Sequence, residues 1–422
     1  MKSTELSKYR SARQDFFARY GARWAGTLAD EFDVLAPFKL SRSEADEILQ
    51  TAGNLAQIYR RTAQLLRQLS VHALSELGVP DHLLQFVRCV IPEMADCVVG
   101  RFDLARTESG YKLLEFNADV PGLIVEAFSI NAEVCRHAGK EDPNHGSERI
   151  LAQALYDAVR AGIEYVDKSG CEGPNVVVAY VDCYTRDAAM AKYLCRLIEP
   201  YSTQYAPISS LSIDNQGLYD PNGKRIDVLY RVFPLQFIRN EIFQPRGISI
   251  DPEMGGTLLR LVESRQLAMI NPPFSFLLES KALQAVIWNL ADSGACFTAD
   301  ERRLIARHML PTYLDPPADN SAYVVKPIYG AEGDTVTVIA PDGSVMSQSE
   351  CTTYSDRPMV YQKLVIVPAL ELMTEFGRRT LHVVTSCFLI SGTPTGICMR
   401  AGESITDDSA WVLPSCIKSG AG

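Results

Sequence analysis

Two short patterns carry the residue types from which a reaction could be built: Arg101-x-Asp103 and Glu115-x-Asn117, on either side of a turn signal at Thr107–Gly110. The stretch VVGRFDLARTESGYKLLEFNAD alternates apolar and polar residues, which predicts two strands around that turn. Asp103 and Glu115 are equally far from Ser109, so a symmetric hairpin sets them opposite each other, with Arg101 opposite Asn117. Side chains alternate faces along a strand, so these four share one face, and Phe102, Leu104, Leu114 and Phe116 share the other. Two facing carboxylates repel unless a cation lies between them. Asp, Glu and Asn oxygens are hard ligands of the kind magnesium takes together with substrate phosphates, and an arginine beside them can clamp a phosphate or carboxylate. A solvated polar face, neutralised by Arg101, accounts for the same pattern equally well.

Other segments suit a phosphate. In VVKPIYGAEGD, Lys326 ends an apolar strand, and Gly330, Glu332 and Gly333 follow in a turn where glycine lets backbone amides approach an anion. Lys281 opens KALQAVIWNL inside a helix expected over Ser275–Leu290. YQKL, with Gln362 and Lys363, could edge a nucleotide base between apolar walls. Arg400, Glu403 and Thr406 make a polar cluster at the end of GICMR. Taken singly, each reads as well as an ordinary turn, a solvated lysine or a strand end.

Positioning such groups takes more than one layer. At 422 residues, 47% hydrophobic and 22% charged, the chain has the make-up of folded domains, two or three by length. A net charge of −10 argues against a nucleic-acid binder working through a global positive field, while leaving room for a local phosphate pocket. The eleven cysteines are odd in number, lack CxxC spacing and sit partly in apolar runs. That reads as free, mostly buried thiols in a reducing cytoplasm. No signal-peptide pattern opens the sequence and no apolar stretch is long enough to cross a membrane, so a cytoplasmic location is expected.

Residues 1–95 read as helical, with apolar residues three and four apart over Ser43–Leu69 and Ser41 or Ser43 as N-cap. Residues 96–272 alternate strands and helices: the hairpin, helix Ser147–Asp167, strand Asn175–Val181, helix Tyr184–Leu197 and strand Ile226–Phe233. Residues 273–422 turn β-rich from Ser321 and read as a separate domain folding over the rest. The fold class is α/β (α+β).

The order of these pieces resembles the glutathionylspermidine synthetase family: RFD, EFNAD, YRVFPLQF, NPPFSFLLESKAL, VVKPIYGAEG, YQKL and GICMRAGESIT, from about Arg23 to about Ser415. The resemblance implies an ATP-grasp-like synthetase with a helical N-terminal region and a β-rich ATP-binding lid. It implies a ligase that uses ATP and Mg2+ to join a carboxylate to an amine through an acyl phosphate. By the same resemblance Asp103, Glu115 and Asn117 are magnesium ligands and Arg101 is the catalytic group on the transferring phosphate. Lys281, Lys326, Gly330, Glu332, Gly333, Gln362 and Lys363 fall to ATP, and Arg400 to the acyl substrate's end of the site. Asp103→Ala or Glu115→Ala is then expected to remove ATP turnover and spare the fold.

Three departures stand out. Val120-Pro121-Gly122 replaces hydroxyl residues common in the family, Phe233-Pro234-Leu235-Gln236 replaces a tryptophan-rich strand ending in Glu, and Ala331 replaces the arginine of Gly-Arg-Glu-Gly. Val120, Gly122 and Gln236 are therefore candidate substrate contacts. The expected partners are a small-molecule or peptide acid and an amine acceptor other than glutathione and spermidine, with no nucleic acid and no membrane. The alternatives are a catalytically inactive nucleotide-binding homologue serving as a sensor or partner subunit, and a phosphotransferase that stops at the acyl phosphate.

Overall fold

The computed structural model describes residues 2–21, 34–167, 173–182, 185–237 and 252–418. The hairpin forms as strands Val99–Thr107 and Gly110–Asn117, with Arg101 opposite Asn117 and Asp103 opposite Glu115. The route to that register is not the symmetric one. Thr107 pairs with Gly110 across a two-residue loop and Leu104 pairs with Leu113, after which a bulge inserts Leu114 and shifts the ladder by one. Without that extra residue Glu115 would fall opposite Phe102, on the apolar face. Tyr111 and Leu113 accordingly join Phe102, Leu104 and Phe116 in the core, and Leu114 is only half-buried.

Helix Arg42–Leu66 covers that apolar face. Ser41 caps it through a capping box, its hydroxyl accepting from Glu44 N while the Glu44 carboxylate accepts from Ser41 N. Ile48, Ala52, Leu55 and Tyr59 form its buried stripe. The Tyr59 ring meets Phe102 and Phe116, which stack on each other at 4.2 Å. Each buried ring contributes roughly 2 kcal/mol of apolar burial, enough to fix which way the hairpin faces.

Among the described residues the hairpin belongs to a six-stranded antiparallel sheet, in the order Trp411–Leu413, Thr393–Gly402, Gly377–Ile390, Val99–Thr107, Gly110–Asn117. Ala369–Thr374 pairs onto Gly377–Ile390 as well. The sheet draws strands from both sides of residue 272, so the β-rich C-terminal stretch divides. Its long strands complete the hairpin's sheet. Its earlier ones make a five-stranded sheet, Thr312–Tyr313, Met359–Lys363, Tyr323–Pro327, Thr337–Ile339, Val345–Gln348. A third sheet is parallel, Thr203–Pro207, Val176–Tyr180, Val228–Val232, Ala268–Ile270, with helices Ser147–Tyr165 and Thr185–Leu197 against it. Its central strands Val176–Tyr180 and Val228–Val232 are apolar but for the buried Arg231, which befits burial on both faces. This mixture is the α/β (α+β) class expected.

Two local expectations change. The helix expected over Ser275–Leu290 is two helices, Ser275–Glu279 and Lys281–Asp292, broken at Ser280 where ψ is 124°. The helical N-terminal stretch also holds a strand, Phe38–Leu40, paired in parallel with Ser415–Ile417. No helix among the described residues is long and apolar enough to cross a membrane. The described cysteines are free thiols, of which Cys296 and Cys351 are exposed and the others half-buried or buried. Cys171, Cys183 and Tyr184 lie outside the described residues.

Candidate active site

The hairpin's polar face is closed over by the neighbouring strands of its own sheet, which bring Ser386 opposite Asp103 and place Arg400 one strand further. Asp103, 1% exposed, receives five hydrogen bonds. Oδ1 accepts from Arg101 Nε at 2.8 Å and Ser386 Oγ at 2.7 Å. Oδ2 accepts from Arg101 Nη2 and Arg400 Nη2, both at 2.8 Å, and from Asn117 Nδ2 at 3.2 Å. Burial favours the neutral carboxyl, but the Arg101 and Arg400 charges outweigh it and hold Asp103 well below the usual carboxylate range. Asp103 in turn keeps Arg101 above its ordinary value against desolvation. The cation facing the hairpin carboxylates is therefore first of all arginine. Asp103→Ala would leave two guanidinium groups without their buried partner, a change costing about 3–5 kcal/mol. The expectation that this variant spares the fold is thus revised.

Glu115 is half-buried and pairs with Lys281, Oε2 to Nζ at 3.3 Å. Burial pushes its carboxyl up, yet Lys281 and more distant cations bring it below the ordinary value. Lys281 is not the solvated mid-helix lysine its neighbours suggest. It opens the second helix at the Ser280 break, is 7% exposed, and donates Nζ to Gly330 O at 3.1 Å. Its backbone N–H donates to Ile328 O, also at 3.1 Å. Lysine, hairpin and glycine turn are thereby tied at one point.

Lys326 donates Nζ to Gln362 Oε1 at 2.8 Å, and desolvation pulls its ammonium down to about 8. Gln362 is 2% exposed, and its amide nitrogen is spent on Gln284 Oε1 at 3.0 Å, Thr312 Oγ1 at 3.3 Å and Leu114 O at 3.4 Å. Its side chain aims Lys326, leaving nothing for a base. The bulge residue Leu114 supplies one of those acceptors. Lys363 is exposed on the alternate face of its strand, beside Asp319 and away from Lys326. Gly333 has φ +69°, and a Cβ there would lie 2.7 Å from Thr406 O, so the glycine turn is pressed on the loop after Arg400. Glu332, also at positive φ, bears on Asp187, which burial and that carboxylate push up to about 7.

Beyond the hairpin, Arg101 Nη1 donates to Gly122 O at 3.0 Å, so the arginine of the hairpin also holds the Val120–Gly122 loop. Asp119, fully buried, pairs with Arg231 and accepts from Leu235 N at 2.7 Å. Val120 follows Asp119 and Gln236 follows Leu235, so that bond holds the two positions near each other as one candidate wall. Asn271 secures the same segment, accepting from Val98 N at 2.7 Å and Val99 N at 3.1 Å. It donates to Val99 O at 2.8 Å and to Ala118 O and Asp119 O at 3.0 Å each. Glu279 Oε2 accepts from Ala118 N at 3.0 Å and Asp119 N at 2.9 Å, and burial with the Asp119 charge pushes its carboxyl up to about 7.

Asp119, Arg231, Asn271, Glu279, Gln284 and Ser386 are absent from the reading of the sequence. Two of them had a signal. An arginine inside the apolar strand IDVLYRVF needs a buried counter-ion, as does an acid at the end of the apolar run FSFLLE. Asn271 and Ser386 are ordinary residues in sequence, and only the sheet pairing reveals them.

The chemistry available is that of an anion site. Arg101, Arg400, Lys281 and Lys326 face only Asp103 and Glu115 as acidic members of the hairpin, a surplus of positive charge suited to polyphosphate. Magnesium needs one or two carboxylates beside substrate phosphates and keeps several waters. Glu115 and the amide oxygen of Asn117 fit that role. Asp103 already takes five donors on about four lone-pair directions, so an ion would reach it only in the place of a donor. No group of three or more His, Cys, Asp or Glu able to hold a metal occurs among the described residues.

Known proteins resemble this chain to different depths. A putative acid–amine ligase of Haemophilus influenzae is 23% identical over 288 residues, 65% of this chain and 64% of that protein. The chain thus spans a little under two thirds of that relative's length. The apo structure of a glutathione synthetase-like effector, GSS30 from Globodera pallida, superposes with a TM-score of 0.58 at 13% identity, covering 99% of this chain and 98% of that one, a likeness of fold. A putative gamma-glutamylcysteine synthetase of Methylobacillus flagellatus reaches only 0.35 at 11% identity, over 90% of this chain and 87% of that one, too distant to bear on either fold or chemistry. The sequence model for the glutathionylspermidine synthase preATP-grasp family matches residues 4–418, from the first helix through the hairpin, both lysine segments and the Arg400 strand. By that match over nearly its whole length, the chain belongs to the glutathionylspermidine synthase preATP-grasp family.

Proposed function

We propose that this protein is an ATP-dependent ligase that joins a carboxylate to an amine through an acyl phosphate. The observation that carries the reading is the convergence of Arg101, Arg400, Lys281 and Lys326 on a hairpin face with two carboxylates, Asp103 and Glu115. Such a ring matches the charge of a nucleotide polyphosphate and of a phosphoryl group in transfer. Lys281 and Lys326 bear on the phosphates, the latter aimed by Gln362. Arg101, fixed on Asp103, stabilises the group transferred to the acid's carboxylate, and the amine then displaces phosphate. Magnesium, when bound, would be held by Glu115 and Asn117, with Asp103 joining in the place of a donor, and would supply further neutralisation of phosphate charge. The sheet carrying Lys326 is the natural cover that excludes water. Family membership and the acid–amine ligase name of the Haemophilus relative support the same class.

The acid and the amine lie outside the usual pair of the family. Val120, Pro121, Gly122 and Gln236 give that wall no ionisable group, and a side chain placed at Gly122 would meet nothing within 4 Å. The test is ADP release with hydroxylamine present to trap the acyl phosphate, over a panel of acids. Expected are an acid-dependent hydroxamate, background release with glutathione and spermidine, and a loss of about 10²-fold or more in Glu115→Ala. A Glu115→Ala variant that turns over like the wild type would sink the assignment. Nucleotide binding with no ADP release across acids and amines would instead identify a sensor or partner subunit.

A further inference from the structure

The two arginines on Asp103 are not equivalent. Arg101 uses Nε and Nη2 on Asp103 and Nη1 on Gly122 O, so each of its nitrogens is engaged. Arg400 reaches Asp103 through Nη2 alone, and its Nε is buried with no hydrogen-bond partner. The Arg400 side chain is also the more exposed of the two, 15% against 7%. A buried N–H left without an acceptor costs about 1–3 kcal/mol, so Arg400 is seated where its own bonding is incomplete. It is the donor with least to lose by moving.

Its departure would open one particular place. Oδ1 of Asp103 stays with Arg101 Nε and Ser386, whereas Arg400 leaves its own place on Oδ2, the oxygen it shares with Arg101 Nη2 and Asn117 Nδ2. Asp103 is directly opposite Glu115, and Asn117 follows on the same face. The vacated position therefore lies among the three oxygen-bearing side chains that suit a hard divalent cation. While Arg400 is there, that position already holds a positive charge.

Resting on the nucleotide-site reading above, we propose that Arg400 occupies the divalent cation's place on Asp103 in the nucleotide-free protein, so that the cation enters only when phosphates draw Arg400 away. Binding is then ordered by charge. A bare cation meets a site already in positive surplus, while a nucleotide's phosphates give Arg400 the second acceptor it lacks and vacate its place beside Oδ2. By reciprocity, nucleotide strengthens cation binding and cation strengthens nucleotide binding by the same factor.

The experiment uses Mn2+ as probe and the full chain, with bound metal read by electron paramagnetic resonance and ADP affinity by calorimetry. The wild type is expected to bind Mn2+ at least about tenfold more weakly alone than in the presence of ADP. Arg400→Met and Arg400→Gln should both gain nucleotide-independent Mn2+ binding, about tenfold or more, because Asp103 keeps Arg101, Ser386 and Asn117 and the fold is retained. Arg400→Lys, which keeps the charge, should stay closed. Wild-type protein that binds Mn2+ alone as tightly as Arg400→Met overturns the proposal, as does a gain equal in Arg400→Lys. If neither wild type nor variants bind ADP, with or without Mn2+, it is the nucleotide reading that fails.

Discussion

At the scale of single residues, the site is a set of buried charges whose partners lie far apart in sequence. Glu279 is the clearest case, because its carboxylate accepts two backbone amides yet sits close to the Asp119 charge. Its folded value of about 7 is above the unfolded carboxylate range, so the folded chain holds the proton more tightly than the unfolded one. This contribution to stability is fully present below the unfolded value and is lost as pH rises from there to about 7. The whole effect is on the order of 3 kcal/mol. Glu279→Gln keeps an acceptor oxygen and cannot ionise. Its melting temperature relative to wild type should therefore climb between about pH 5 and pH 8 and then level off. A difference that stays flat with pH would show that Glu279 does not titrate in this window.

At the scale of elements, the hairpin was legible and its mechanism was not. Alternation around Thr107–Gly110 was enough to put Arg101, Asp103, Glu115 and Asn117 on one face, since a one-residue error would bury them against helix Arg42–Leu66. The bulge at Leu114 left no mark, because an extra leucine looks the same in or out of register. The helix break before Lys281 is unmarked for a related reason. The Ser280 break has neither proline nor glycine, and its cause is tertiary: Lys281 N and Nζ are held by Ile328 O and Gly330 O on the neighbouring sheet. Lys326 and Arg400 were legible as basic strand ends, whereas Gln362 proved to be a brace. The glycines separate by the same logic. Gly333→Ala forces a Cβ against Thr406 O at positive φ and should cost about 1–3 kcal/mol with weakened nucleotide binding, whereas Gly122→Ala should change stability by less than about 0.5 kcal/mol. Thermal denaturation of the pair checks this. Equal melting temperatures would mean that the glycine turn can yield without strain.

At the scale of the whole molecule, Asn271 joins the parallel sheet's last strand to the start of the hairpin and to the loop that follows it, through both atoms of one buried amide. Asn271→Ala leaves amides and carbonyls of Val98, Val99, Ala118 and Asp119 without that partner and should cost at least about 3 kcal/mol in a urea titration. A loss under about 1 kcal/mol would mean that the two sheets are held by packing alone. The sharing of one sheet between the hairpin and the distant strands Gly377–Ile390 and Thr393–Gly402 is likewise beyond periodicity, since alternation names strands without naming their neighbours. The two exposed cysteines close the matter at this scale. Cys296 follows the helix that begins at Lys281, and Cys351 accepts through its backbone oxygen from Thr335, just past the glycine turn. With Cys171 and Cys183 replaced, they form a ready pair of attachment points for fluorophores, one on the body and one on the cover. The chain thus carries its own spectroscopic ruler, with which the gap between the hairpin and the sheet carrying Lys326 can be followed in solution before any substrate is known.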